Sequence, residues 1–316
     1  MPPQGILLHT NDFDHMAQAF PRWDHRFEQL SRGTFQGRLH LADYRDVQLF
    51  DVEVNQVIRC RGLRATDSFA FSPVTHANTG AYWRGRQLRP GLVNINGPSE
   101  ETDHRSTATN YRLLGINVHR DLLERASMGL VGVDHLALIG TRALEISPSQ
   151  FNALANSWLQ CLSSTTSPGE PRMSPDQIGI ELASHLVDAL AEGRIADPVR
   201  LTSSQRLRIV CACEEFARAH PPEQVSILTL CELTGVSARS LHYAFLEVTG
   251  LSPKAFLKTL RLNQARRELL TTGYARGRIL AIAAKYGFPR TGEFAADFQS
   301  LFGSLPSQFA RGARSV

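Results

Sequence analysis

Two clusters of side chains in the last third of the chain carry groups suited to gripping and reading a polyanion. Ala238, Arg239, His242 and Tyr243 share one face if they lie on a helix, since positions three and four apart are neighbours on a helical surface. Arg290, Thr291 and Ala295 form a second set further on. A guanidinium presents a planar fork of donors that matches guanine O6 and N7 or a phosphate. Histidine, tyrosine and threonine each hydrogen-bond to base edges, and an alanine methyl fits against the methyl of thymine. Ser237, Lys258, Arg261, Arg266 and Arg267 lie beside or between the two sets and are candidates for phosphate contacts, which set affinity and register without reading sequence. In isolation any of these would pass for a solvated surface residue, so the reading depends on the elements that hold them.

Those elements repeat. Ile227, Leu228, Leu230 and Gly235 recur in type 52 residues later as Ile279, Leu280, Ile282 and Gly287. After one inserted residue, Leu241, Phe245, Gly250, Pro253 and Phe256 recur as Phe294, Phe298, Gly303, Pro306 and Phe309. Each copy has the grammar of a helix-turn-helix: a short apolar helix (228–233, 280–285), a Gly that closes it and turns the chain, then a second helix. Ser237 can cap the first of these second helices, which turns Leu241, Phe245 and Val248 inward. Phe294, Phe298 and Leu301 do the same in the second copy. The reading helices therefore fall near 238–248 and 290–301, and such helices present their N-terminal residues to the major groove. Between the copies Pro253 opens a helix to about Thr271. At ~1.5 Å per residue it spans roughly 28 Å, close to the ~34 Å of one turn of DNA, so the two readers can address successive major grooves.

The stretch Gly235-Val-Ser-Ala-Arg-Ser-Leu, Phe245, Gly250-x-Ser-Pro253, Arg261-Leu-x-x-Ala-Arg266-x-x-Leu269-Leu270, Ile282-Ala-x-x-x-Gly287-Phe288, Phe294-x-x-x-Phe298 and Phe302-Gly303-x-x-Pro306 resembles the AraC/XylS family of transcription regulators over about residues 203–312. The resemblance implies a seven-helix domain with two DNA-reading helices, double-stranded DNA as partner, and an N-terminal sensor of the cupin type that binds a small effector and helps form a homodimer. By family habit it also implies an activator that works with RNA polymerase. The second copy departs from the pattern, with Ala295-Ala296-Asp297 where relatives often carry Ser or Thr and then Arg, and Asp297 would repel phosphate if it faced DNA.

The remaining sequence fits a sensor. From about Gly33 to Val118, short alternating stretches separated by Gly, Pro and Asn turns read as an antiparallel sandwich or barrel. Helices follow at 119–126 and 149–162, with a Ser/Thr/Pro/Gly-rich loop at 163–174 and a helix from Ser174-Pro175 onward. That last helix carries the apolar stripe Ile178, Leu182, Leu186 and Leu190, a face for dimerisation or for packing on its own β-domain. Asp197-Pro198 marks a boundary, and Thr202-Ser-Ser-Gln205 resembles a capping box for a helix to about His220. The expected fold is α+β, with a cupin-like antiparallel β-barrel and flanking helices joined to an all-α domain. The expected division is 1–145, a helical linker or dimerisation segment at 146–200, and a DNA-binding domain at 201–316. Trp23, His40, Phe71, Tyr82, Trp83 and Arg84 are candidates for an effector pocket, although Tyr82 and Trp83 are neighbours on a strand and face opposite sides.

Charge agrees with this division. Residues 201–316 hold 15 Lys+Arg against 8 Asp+Glu, whereas residues 1–200 hold 19 against 22. A basic module on a mildly acidic partner suits a polyanion ligand. The five scattered cysteines do not suggest a disulfide framework, and Cys211 and Cys213, two apart on a helix, do not share a face for a metal. No His-x-His, Gly-x-Ser-x-Gly or phosphate-binding Gly loop occurs, so neither metal, cofactor nor catalytic residue is expected. No apolar run is long enough to span a membrane and the N-terminus lacks a signal-peptide core, which places the protein in the cytoplasm. Two other readings stay open: a cupin-type metal enzyme fused to a DNA-binding module, and a ligand-free regulator acting through a protein partner.

Overall fold

The computed structural model describes residues 4–63, 67–98, 100–107, 111–131, 143–165, 173–191, 193–195, 201–273, 275 and 277–312. Three elements precede Gly33, where the sequence pattern begins: β1 (Gln4–Thr10), α1 (Phe13–Gln18) and β2 (Asp24–Gln29). Their signals are weak for physical reasons. β1 is an edge strand without a buried residue from Gly5 to Thr10, and α1 has only six residues. Asp12 caps α1 by accepting from the amides of Asp14 and His15.

The strands β3 (Gly37–Asp43), β4 (Val47–Val54), β5 (Ile58–Leu63), β6 (Ser68–Pro73), β7 (Tyr82–Trp83), β8 (Arg86–Gln87), β9 (Leu92–Asn96), β10 (Glu101–Arg105) and β11 (Tyr111–His119) follow. After them come α2 (Arg120–Val131), β12 (Ala143–Glu145), α3 (Pro148–Ser164), α4 (Pro175–Ala191) and β13 (Arg194–Ile195). The strands form two antiparallel sheets, ordered β1-β3-β4-β11-β6-β9-β12-β13 and β2-β5-β10-β7-β8, which stay separate among the described residues, so the barrel is open. Alternation along β4 and β11 divides the interior. Phe50, Val52, Val54 and Tyr111 face the space between the sheets, while Val47, Leu49, Leu114, Ile116 and Val118 face the helices.

On that helical side α4 lays Leu182, Leu186 and Leu190 into the core, with Ile178 half-buried beside them. The stripe is thus spent on the sheet and on Trp158 of α3, and the expectation of a dimerisation face there does not hold. Ser174 and Gln177 exchange bonds that cap α4, at 3.3 and 2.8 Å. The boundary expected at Asp197-Pro198 and part of the expected loop at 163–174 lie outside the described residues, as do the side chains of 201–204 in the proposed capping box.

The C-terminal domain is all-helical: α5 (Leu201–Ala219), α6 (Ile227–Thr234), α7 (Ala238–Thr249), α8 (Pro253–Thr272), α9 (Arg278–Lys285), α10 (Thr291–Phe302) and α11 (Pro306–Gly312). Gly235 stands at φ +66° and Gly287 at φ +76°, the left-handed conformation that each turn needs and that an L side chain would strain. The first unit closes on a core of Leu230, Leu241, Phe245 and Val248 with Phe256, to which the N-terminal domain adds Leu30. The second does not stand alone. Its Phe294, Phe298 and Phe302 share one apolar cluster with Phe13 and Met16 of α1 and with strands of the open barrel.

Candidate functional site

The first reading helix, α7, begins at Ser237, whose hydroxyl accepts from the Ser240 amide at 3.2 Å. Leu241, Ala244, Phe245 and Val248 are buried, which turns Ala238, Arg239, His242 and Tyr243 to solvent. The Arg239 guanidinium lies 5.8 Å from the centre of the Tyr243 ring, and His242 meets the same ring edge-on. A donor fork, an imidazole and a phenol thus stand on one exposed face at a helix N-terminus.

The second reading helix, α10, differs. Arg290 occupies its N-cap position without a side-chain cap bond and pairs instead with Glu293 at 2.7 Å, both well exposed. Thr291 and Ala295 are half-buried beside it. Asp297, which departs from the family pattern, is neutralised: Lys258 of α8 reaches it at 2.6 Å and ties the connecting helix to the second reader.

The phosphate candidates on α8 separate. Lys258 keeps part of its side chain exposed. Arg261 is half-buried, donates to the Leu257 carbonyl at 3.2 Å and stacks on Phe288. Arg266 is only 2% exposed; it pairs with Asp12 at 2.7 Å and Asp14 at 2.6 Å and lies 4.0 Å over the Phe13 ring. Arg267 pairs with Asp14 and Glu28 at 2.9 and 2.8 Å. The expectation that Arg266 and Arg267 meet phosphate is therefore corrected, because both are spent on the N-terminal segment.

These pairs belong to a larger polar seam. Alternation makes the sheet β2-β5-β10 two-faced. On its outer face Arg59 of β5 bonds Glu214 of α5 at 2.7 Å and Asp103 of β10 at 2.5 Å, and Arg61 reaches Glu215 at 2.6 Å. Glu28 of β2 accepts from Arg218 of α5 and from Arg267 of α8. Gln29 is locked between units: its backbone exchanges two 3.1 Å bonds with the Asn263 amide, and its side chain donates to the Leu301 carbonyl at 2.6 Å. Burial would raise the Glu214 carboxyl, but Arg59, Arg218 and Arg61 overcome it and hold it down to about 2.

The inner face of the same sheet lines a cavity of about 70 Å³. His25 and Phe27 of β2, Ile58 and Cys60 of β5, and Thr102 and His104 of β10 all point into it. Phe20, Trp23 and Phe50 close one side, with Phe50 edge-to-face to Phe20 at 5.7 Å and to Trp23 at 5.4 Å. Of the expected pocket residues, Trp23 and Trp83 line this cavity. Four others do not. His40 bonds Thr165 at 3.1 Å, Phe71 is buried under the helices, Tyr82 lies outside beneath Arg105, and Arg84 pairs with Glu100. Sequence reasoning missed Asn94 and Asn96, although two polar residues alternating with Val93 and Ile95 signal a strand with one polar wall. Trp83 donates to Asn96 at 2.9 Å, and Asn96 donates to Thr102 at 2.9 Å. Tyr111 and His104 meet at 2.6 Å.

Among the described residues no group of three or more His, Cys, Asp or Glu is placed to hold a metal, and no helix is long and apolar enough to cross a membrane. Burial and Asp103 push the Cys211 thiol up to about 12, and burial with Cys231 does the same at Cys213, so both stay protonated.

A family model described as a helix-turn-helix domain matches residues 230–312. The probable thc operon regulatory protein of Rhodococcus erythropolis is 32% identical over 103 residues, covering 33% of this chain and 31% of its own. The XylDLEGF operon transcriptional activator 1 of Pseudomonas putida is 29% identical over 141 residues, 45% of this chain and 41% of its own. The chain thus spans under half the length of these two relatives. Among solved structures, a probable AraC family transcriptional regulator from Rhodopseudomonas palustris is 36% identical over 34% of this chain and 97% of its own, with a TM-score of 0.31. The AraC-like transcriptional activator CuxR is 15% identical over 82% of this chain and 95% of its own, with a TM-score of 0.43. With the ordered double repeat and the matched domain, the C-terminal helices are similar to the AraC/XylS-type helix-turn-helix domain.

Proposed function

We propose that the protein is a sequence-specific, effector-responsive DNA-binding transcription regulator that reads two successive major grooves with α7 and α10. One observation carries the reading. Two helix-turn-helix units stand on a shared connector, α8, each with the start of its second helix turned to solvent. The 20 residues of α8 at ~1.5 Å each give roughly 30 Å, near one turn of DNA. Ala238, Arg239, His242 and Tyr243 read bases in one groove, and Arg290, Thr291 and Ala295 read those in the next. Lys258 and the residues at the Ser237 cap meet phosphate.

Effector response rests on the two-faced sheet. Each of β2, β5 and β10 puts one residue into the cavity and the next onto the DNA-binding domain. A ligand that spreads the cavity wall therefore moves Glu28, Arg59 and Asp103 directly, and it shifts the arrangement of the reading units only if it binds the two arrangements unequally. On this reading the protein is no enzyme and needs no cofactor. It acts in the cytoplasm as a homodimer and, as an activator, in contact with RNA polymerase, and its dimer face lies elsewhere than on the buried stripe of α4.

Fluorescence anisotropy of the full chain on the DNA flanking its own gene, against scrambled DNA over a salt series, tests the proposal. Preference for one site with a steep salt slope supports it. Arg290→Ala should weaken the preferred site by about 1–3 kcal/mol and scrambled DNA less. No binding to either DNA at low salt would sink it.

A further inference from the structure

The cavity also indicates what kind of molecule it takes, an inference that rests on the effector reading above. Among the described residues its wall holds no Asp, Glu, Lys or Arg. Its two imidazoles are engaged, His25 with the Ala17 carbonyl at 3.0 Å and His104 with the Tyr111 hydroxyl at 2.6 Å. A charged ligand would therefore lose its water without a permanent counter-charge, which costs far more than a hydrogen bond returns. The wall is largely aromatic and aliphatic, with Trp23, Phe50 and Trp83 offering flat faces and edges. Its volume of about 70 Å³ exceeds the ~10–15 Å³ that admits one water and is about half the ~150 Å³ of an apolar cavity that takes benzene, so a ring enters only as the wall spreads.

One polar group there is left over. Asn94 is 6% exposed, lines the cavity, and its Oδ1 has no hydrogen-bond partner. A buried acceptor without a partner is costly, so a ligand that donates to it recovers that penalty on binding. Asn94 faces Ser72 across the β6–β9 ladder, and the next inward residue, Asn96, is already satisfied by Trp83 and Thr102. The strand β9 wall of the cavity thus offers an open acceptor at Asn94, opposite a largely aromatic and aliphatic lining.

We propose that the cavity binds a small uncharged molecule with one aromatic or alicyclic ring and a hydrogen-bond donor, such as an amide, alcohol or phenol, seated between Trp23, Phe50 and Trp83 with its donor on Asn94. Three nearly isosteric probes separate this from other chemistries: benzamide, benzoate and benzylammonium. Tryptophan fluorescence and thermal shift of the full chain should respond to benzamide at concentrations at least about tenfold below either ion. Asn94→Leu should weaken benzamide by about tenfold or more, the worth of one buried hydrogen bond. Asn94→Asp should turn the preference toward benzylammonium.

The ranking of the three probes on the unaltered protein needs no variant and decides the matter even if Asn94→Leu fails to fold. Benzoate or benzylammonium binding as well as benzamide would overturn the exclusion of charge, silence toward all three would overturn the proposed ligand class, and either result leaves the effector reading standing. That reading fails separately if Ala70→Leu, which fills the cavity, leaves the affinity for the preferred DNA site unchanged.

Discussion

Arg266 and Arg239 show how one residue type takes two roles within a single domain. Both are arginines on helices of the DNA-binding module. Arg239 is exposed and stacks loosely on Tyr243, whereas Arg266 is sealed between two aspartates and the Phe13 and Phe309 rings. Arg239→Ala should therefore reduce the salt slope or the site preference of DNA binding with little loss of stability. Arg266→Ala should leave the salt slope unchanged and destabilise the fold by roughly 3–5 kcal/mol, because Asp12 and Asp14 lose their partner. Thermal melts beside anisotropy titrations distinguish the two. An Arg266→Ala protein of normal stability with a reduced salt slope would restore Arg266 to the phosphate contacts.

At the scale of elements, the two reading helices are built unequally. α7 has a serine cap, and α10 begins at an arginine whose side chain is occupied by Glu293. A missing cap costs about 1 kcal/mol and is felt in the first turn. Amide exchange should thus be faster at residues 291–293 than at 238–240, and Ser237→Ala should bring the two closer together. Equal protection in the unaltered protein would argue against the inequality. Gly303, which closes α10 at φ +80°, has its absent Cβ aimed 2.1 Å from the Thr34 hydroxyl of the sensor. Gly303→Ala should therefore both strain the cap and push the second unit off the sensor, at a cost of about 1–3 kcal/mol in thermal stability. That contact makes the end of a reading helix part of the seam between the two halves of the molecule.

For the molecule as a whole, the seam of Arg59, Arg61, Arg218, Arg266 and Arg267 with their carboxylates sets how firmly the N-terminal domain holds the helical one. Glu214 is its best-placed titrating group. Its carboxyl is held down to about 2 in the folded protein from an ordinary value of 4.5. A lowered carboxyl pKa contributes stability that is complete above the unfolded value and is lost as pH falls through the folded one. The melting temperature should accordingly drop as pH falls from about 5 toward 2, and Glu214→Gln should lose stability at neutral pH and show a flatter acid limb. A parallel acid limb in the variant would remove Glu214 from the seam's pH response.

The sequence by itself determined the C-terminal third. Helix periods, the glycines that close helices, serine caps and a repeat of 52–53 positions are local signals, and the helices they specify bury faces set within a few turns. The sequence also showed that Tyr82 and Trp83 must face opposite sides, since a strand alternates. Only the tertiary structure decided which of them looks inward, that Asn94 stands open in a cavity, and that Arg266 and Arg267 of α8 face carboxylates some 240–250 residues away in the chain. The reason is that a basic residue on a helix carries no mark of its partner. Phosphate and aspartate attract it alike, and which one it meets depends on how the sensor and the readers pack together.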